Sequence, residues 1–256
     1  MKTQQVEHLT VYRAESRQAM GRAAAADAAA YIQRLLERKA RVSVVFAAAP
    51  SQNEFLEGLV GSGLDFSRIH AYHMDEYLGL APDAPQGFGN FLRRALFGRA
   101  AFGAVDYLNG QAEDPEAECR RYAALLQADP PDVVCMGIGE NGHIAFNDPA
   151  EADFDDPAQV KLVTLDEQCR MQQVHDGCFD RLEAVPRQAL TLTIPALTAG
   201  TRIFCVVPAA TKAQAVRDAL LGPVSEACPA SILRRCPEAR LYLDPDSAAL
   251  WERDHG

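Results

Sequence analysis

Residues 132–149 read Asp-Val-Val-Cys-Met-Gly-Ile-Gly-Glu-Asn-Gly-His-Ile-Ala-Phe-Asn-Asp-Pro and place an imidazole, an amide and a carboxylate in a glycine-rich turn. His143 can exchange a proton near neutral pH, Asp148 can orient it, and Asn141 can hydrogen-bond to either. Gly137, Gly139 and Gly142 let the backbone turn sharply and bring unhindered N–H groups close to a ligand. A second polar set, Met74-Asp75-Glu76-Tyr77, follows the apolar run from Ile69 to His73. Two such sets, each at the carboxyl end of a strand, suit a site at the edge of a parallel sheet.

Gly137 to Gly142 also spells G-x-G-x-x-G, the spacing of a dinucleotide loop. That function needs a helix to begin in the turn, because the helix N-terminus carries the pyrophosphate. Here Asn147-Asp148-Pro149 would stop any helix within two turns, and the strand lies mid-chain, far from the first βα unit. A dinucleotide site is therefore disfavoured.

The elements that must position these groups alternate helix and strand. Ser16 to Lys39 is alanine-rich, with Tyr31, Ile32, Leu35 and Leu36 on one helical face, and leads into a strand over 42–46. A helix is expected from Pro50, with Phe55, Leu56 and Leu59 inward and Gly61 to Gly63 ending it. Strands follow at 69–73, 105–108, 133–136, 160–165, 190–194, 203–207 and 241–243. Helices are expected at 89–97, 113–126, 167–179, from about Lys212 to Leu221, and at 247–251. This pattern predicts a single Rossmann-like α/β domain over residues 1–256, its mainly parallel sheet flanked by helices.

With 256 residues, 48% hydrophobic, the chain can bury a sizeable core, and no low-complexity linker divides it. A net charge of -10 disfavours nucleic acid and anionic membranes, which need clustered Lys and Arg, while a few local cations could still hold a small anion. The seven cysteines show no C-x-x-C spacing, so neither a zinc site nor a disulfide framework is suggested. Without an apolar leader or a run of membrane-spanning length, a cytoplasmic location is expected.

Several segments together resemble the glucosamine-6-phosphate deaminase/isomerase family, whose fold is shared with the 6-phosphogluconolactonases. They are 74–80 (Met-Asp-Glu-Tyr-Leu-Gly-Leu), Gly137-Ile138-Gly139 with Gly142 to Asn147, Val185-Pro186 to Leu190-Thr191, and Ser231-Ile232-Leu233. The Ile144-Ala145-Phe146-Asn147 continuation resembles the deaminase branch. The resemblance implies conversion of an amino-sugar phosphate to a ketose phosphate and ammonia, with no metal or organic cofactor. It assigns the C2 proton to Asp75, ring opening to His143, and orientation of His143 to Asp148. It also aligns Arg170 and Lys212 with cations that hold the phosphate. A homo-oligomer is compatible with it.

Two departures stand out. The family has a Ser/Thr-Gly-Gly-Thr loop where this chain has Ala47-Ala48-Ala49-Pro50, so the cradle must differ; the amides of Ser51, Gln52 and Asn53 could still face an anion. Asn141 replaces an aspartate, and Asp148 is shorter than the family's glutamate. If position 141 serves to hold His143 by accepting a hydrogen bond, the amide oxygen of Asn141 can substitute. A sugar-phosphate lactonase and a non-catalytic sugar-phosphate sensor are the rival functions.

Overall fold

The computed structural model describes residues 1–199 and 202–255. In chain order the elements are β1 (Lys2–Val6), β2 (Leu9–Arg13), α1 (Arg17–Leu36), β3 (Val42–Phe46), α2 (Asn53–Val60), β4 (Ile69–His73) and β5 (Asp75–Tyr77). There follow α3 (Phe88–Leu92), β6 (Ala104–Asp106), α4 (Pro115–Ala128), β7 (Val133–Met136), β8 (Val160–Thr164), α5 (Glu167–His175), β9 (Gln188–Leu192) and α6 (Ile194–Thr198). The chain ends with β10 (Arg202–Val207), α7 (Ala213–Leu221), β11 (Ala239–Leu243) and α8 (Pro245–His255).

Eight strands form the main sheet in the order β1-β2-β11-β10-β7-β3-β4-β6. All neighbours in it are parallel except the β1–β2 pair. Its central strands are apolar on both faces, so each face needs its own cover. Val42, Val44 and Phe46 pack into one core with α1, α2 and α3, and Val45 points into the other with α4, α7 and α8. From β3 the chain winds outward through β4 and β6, returns to β7 on the other side of β3, and continues outward through β10 and β11. The winding reverses between β3 and β7, and at such a reversal the loops at the strands' carboxyl ends splay apart to leave a crevice.

Four differences from the expected pattern are seen. The N-terminus is an antiparallel hairpin, β1–β2, whose outer strand is short and mostly polar and so carries little hydrophobic signal. Asp75–Tyr77 is itself a strand. It pairs with β9, and β9 with β8, in a second, three-stranded antiparallel sheet. The β-rich run after Gln188 ends at Leu192, because Thr193 caps α6 and Pro195 occupies its first turn. At the other end of the helix set, α5 stops at His175 rather than Phe179, with Gly177 in a left-handed turn (φ 71°).

The α1–α2 crossing is close because two glycines meet it. A Cβ on Gly21 would lie 2.4 Å from the Glu54 Cβ and 2.8 Å from the Glu54 backbone carbon. In an open helix interior Gly→Ala stabilises by about 1 kcal/mol. Here Gly21→Ala is expected to destabilise by about 1–3 kcal/mol, since backbone must move to admit the methyl. Urea unfolding of the two proteins checks the sign.

Candidate active site

β3 ends at Phe46, and Ala47 to Ala49 carry the chain along the crevice to Pro50. Pro50 to Gln52 form a single 3-10 turn before α2, and Arg17 pins it by donating from Nη2 to the Pro50 carbonyl at 2.7 Å. Gln52 is buried, its amide Nε2 donating to the Val206 carbonyl at 3.1 Å and to Ser51 Oγ at 3.2 Å. With Ala48, Ala49 and Ser51 it forms one wall of a pocket whose other walls carry Asp75 and His143.

Asp75 enters from the small sheet. Its backbone pairs with Thr191 of β9, and its carbonyl accepts a 2.9 Å hydrogen bond from His73 Nδ1. The Leu108 N–H donates to His73 Nε2 at 3.0 Å, so His73 is held in one neutral tautomer. Its full burial pulls its pKa down to about 4. The Asp75 carboxyl is buried, and burial, with the Glu76 charge adding to it, raises its pKa well above the usual aspartate value. Glu76 points elsewhere. It accepts from the Phe88, Gly89 and Tyr77 N–H groups at 2.8–3.0 Å and so caps α3. Tyr77 packs among Phe88, Phe146 and Phe179. Of this polar set only Asp75 faces the pocket as a free acid.

After β7 the chain forms a loop and no helix, which removes the structural basis for dinucleotide binding. Gly139 is required by proximity: a Cβ there would lie 2.2 Å from the His143 ring. Gly142 takes φ +85° against Cys228. Ala145, also on the pocket wall, adopts φ 48° despite its methyl. Three hydrogen bonds hold it there. Phe146 N–H donates to Thr191 Oγ1 at 3.0 Å, and the Asn147 amide donates to the Ile144 and Leu192 carbonyls, both at 2.9 Å.

His143 Nδ1 lies 3.0 Å from Asp148 Oδ1 in a bent approach, both residues being buried. Burial alone would raise the Asp148 pKa, but His143, the Asn141 amide and the Asp166 N–H outweigh it and hold the carboxyl below its usual value. Cys169 Sγ, a ring nitrogen of His143 and an Asp148 oxygen lie within 4.8 Å of one another and, among the described residues, are the group that could hold a metal ion. Sequence spacing concealed this cluster, since helix α5 supplies Cys169. Burial, reinforced by Asp148, keeps the thiol pKa well above the usual cysteine value. All seven cysteines are free.

Four expectations are corrected or narrowed by these positions. Asn141 accepts from the His143 backbone N–H at 3.1 Å and not from the ring; its amide donates to Asp148 Oδ1 and Asp166 Oδ2, both at 2.9 Å. Arg170 is spent on the Leu182 and Val185 carbonyls and does not line the pocket. Asn53 is exposed in the first turn of α2 and also lies off the pocket wall. Lys212 is buried just before α7, its Nζ without a hydrogen-bond partner, and like Arg170 and Asn53 it is not among the residues that line the pocket. Burial lowers its pKa, against the pull of the Asp176 and Glu140 carboxylates. Gly137 and Gly139 line the pocket with Ser51 and Gln52; Gly142 stands behind them against Cys228.

Sequence reasoning missed Asn147, Thr191, Gln172 and Gln173. The signal for the last two was composition: α5 reads Glu-Gln-Cys-Arg-Met-Gln-Gln-Val-His, so its inward face had to be largely polar.

A doubly wound sheet with an imidazole–carboxylate pair and a second carboxyl of raised pKa at its winding reversal defines an enzyme that moves protons on a small molecule. The chain belongs to the glucosamine-6-phosphate isomerase/6-phosphogluconolactonase family, which it matches over residues 15–242. It is 36% identical to a glucosamine-6-phosphate deaminase of Listeria innocua over 192 residues, 75% of this chain and 80% of that protein. A Bacillus thuringiensis deaminase of the same name is 37% identical over 73% of this chain and 70% of its own length. Among solved structures, a monomeric glucosamine-6-phosphate deaminase superposes with TM-score 0.86 at 30% identity, covering 94% of this chain and 99% of that one. The 6-phosphogluconolactonase of Thermotoga maritima shares the fold, with TM-score 0.74 at 20% identity over 92% of this chain and 99% of its own. No helix among the described residues is long and apolar enough to cross a membrane.

Two outcomes follow from the pocket carboxylates. In the folded protein Asp75 keeps its proton at pH values where an unfolded aspartate, pKa near 3.8, has lost it. Stability therefore falls as pH rises from that value through the raised one. Asp75→Asn should melt at the same or a higher temperature at pH 7 while turnover falls at least about 100-fold, the loss typical of a general base. A variant keeping more than about a tenth of the wild-type rate would take Asp75 out of the chemistry. Asn141→Asp sets a third carboxylate against Asp148 and Asp166, so its own pKa must rise on folding. The variant should lose about 2 kcal/mol or more near neutral pH and recover as the solution is acidified, read from melting temperature against pH.

Proposed function

We propose that the protein converts a 2-amino-2-deoxy-aldose phosphate and water to the ketose phosphate and ammonia. The observation that carries this is the convergence of Asp75 and His143, from separate sheets, on one pocket. His143, backed by Asp148, assists proton transfer to and from the ring oxygen so that the sugar opens. Asp75 takes the C2 proton of the open-chain aldehyde and delivers it to C1 through an enolamine. The imine then left at C2 adds water and expels ammonia. A raised Asp75 pKa brings the acid and base forms closer in energy, which suits a group that must both take and return one proton. The deaminase names of the Listeria and Bacillus relatives support this reaction over lactone hydrolysis.

The phosphate is assigned to Lys212, with Ser51 as helper; the Gln52 and Asn53 N–H groups already donate to the Ala49 and Pro50 carbonyls and are not available to it. A buried ammonium lacking a hydrogen-bond partner gains most from an anionic ligand. Arg170 has no part in it, its guanidinium being held by carbonyls.

The test is ammonia release from a panel of phosphorylated and free amino sugars, with hydrolysis of a sugar-phosphate lactone assayed in parallel. Ammonia from a phosphorylated amino sugar is expected; lactone hydrolysis alone would overturn the assignment. Lys212→Ala should raise KM for the phosphorylated substrate far more than for the free sugar. Equal losses on the two would remove the phosphate from Lys212.

A further inference from the structure

Helix α5 turns four polar side chains inward, Cys169, Arg170, Gln172 and Gln173, and three of them have partners within the protein. Cys169 sits against Asp148, and Arg170 donates to the Leu182 and Val185 carbonyls. The Gln172 side-chain oxygen accepts the Glu140 N–H at 2.8 Å and ties the His143 loop to the helix. Gln173 is different. It is only 4% exposed, yet its amide makes no hydrogen bond among the described residues. The amide is not among the side-chain groups sealed from solvent without a partner, so the little of it that is exposed opens onto the pocket, where a ligand can supply the hydrogen bonds that the protein does not.

Its position gives that ligand an address. Gln173 lines the same pocket as Asp75 and His143. Its own carbonyl accepts the Cys178 and Phe179 N–H groups, at 2.9 and 3.3 Å, so the residue is fixed at the closing turn of α5. Phe88, Phe146 and Ala48 on the neighbouring walls offer no side-chain hydrogen bonds, so a sugar hydroxyl on that side would turn to Gln173, while Ser51, Asp75 and His143 lie on the other walls. A hydroxyl both donates and accepts, and a primary amide answers both. A phosphate only accepts and would leave the amide oxygen facing like charge.

We propose that the Gln173 amide binds one hydroxyl of the open-chain sugar and sets which amino sugar the enzyme accepts, an inference that rests on the deaminase reaction proposed above. Gln173 belongs to substrate recognition and takes no part in proton transfer.

The experiment pairs enzyme and substrate deletions. Wild type and Gln173→Leu are compared on an amino-sugar phosphate and on analogues each lacking a single hydroxyl, with kcat, KM and the pH profile measured for each pair. The variant should show a 10- to 100-fold higher KM on the parent substrate, kcat within a few-fold, and an unchanged pH profile. One deoxy analogue should cost the wild type a similar factor and cost the variant almost nothing more. Gln173→Met, close in length and without a hydrogen-bonding amide, is read the same way and keeps the test alive if the leucine variant does not fold. An unchanged KM, a loss in kcat alone, or equal losses on every analogue in both enzymes would overturn the role of Gln173. A wild type that releases no ammonia from any amino-sugar phosphate would overturn the reaction itself, a result distinct from all of these.

Discussion

The arrangement depends on strand β9. On one side its Thr191 pairs through the backbone with Asp75; on the other the Thr191 hydroxyl and the Leu192 carbonyl receive Phe146 N–H and the Asn147 amide. One strand thus sets the distance between the proton-carrying carboxyl and the loop that bears the imidazole. Both hydrogen-bonding residues, Asn147 and Thr191, are fully buried, so water cannot replace the bonds if either is removed. The main sheet provides the crevice at its winding reversal, and the small sheet brings Asp75 across it.

Two buried aspartates a few residues from the same substrate space are driven apart in acidity by their surroundings. Around Asp75 there are burial, a neighbouring Glu76 and, among the described residues, no donor to its carboxyl, so its pKa is pushed up. Around Asp148 there are an imidazole, the Asn141 amide and a backbone N–H, so it remains ionised despite its burial. Such divergence separates a group that exchanges a proton from one that holds its neighbour in place. Asn141 belongs with the second group. A neutral amide between Asp148 and Asp166 can donate to both, which a carboxylate cannot.

Much of this was legible in the chain itself. The apolar runs of β3, β4, β7 and β10 mark strands covered on both faces, and the polar clusters at the ends of β4 and β7 mark the site. What could not be read was anything set by partners distant in sequence. The β1–β2 hairpin has a weak apolar pattern, and Asp75–Tyr77 is too short to announce itself as a strand. Arg170 has the right type and spacing for an anion ligand, yet carbonyls 12 and 15 residues away claim it. Asn141 sits beside His143 in the loop, but its orientation is fixed by Asp166 from the start of α5.

Ala145 shows what the pocket's shape demands of the backbone. Its left-handed conformation would be easy for glycine and costs an alanine about 1 kcal/mol. The methyl retained at that cost projects into the pocket beside His143, so the turn trades ease of folding for a narrower chamber. A glycine there would relax the loop and enlarge the cavity by one methyl group in a single step. At position 145 the strain in the loop and the width of the pocket therefore meet in one side chain.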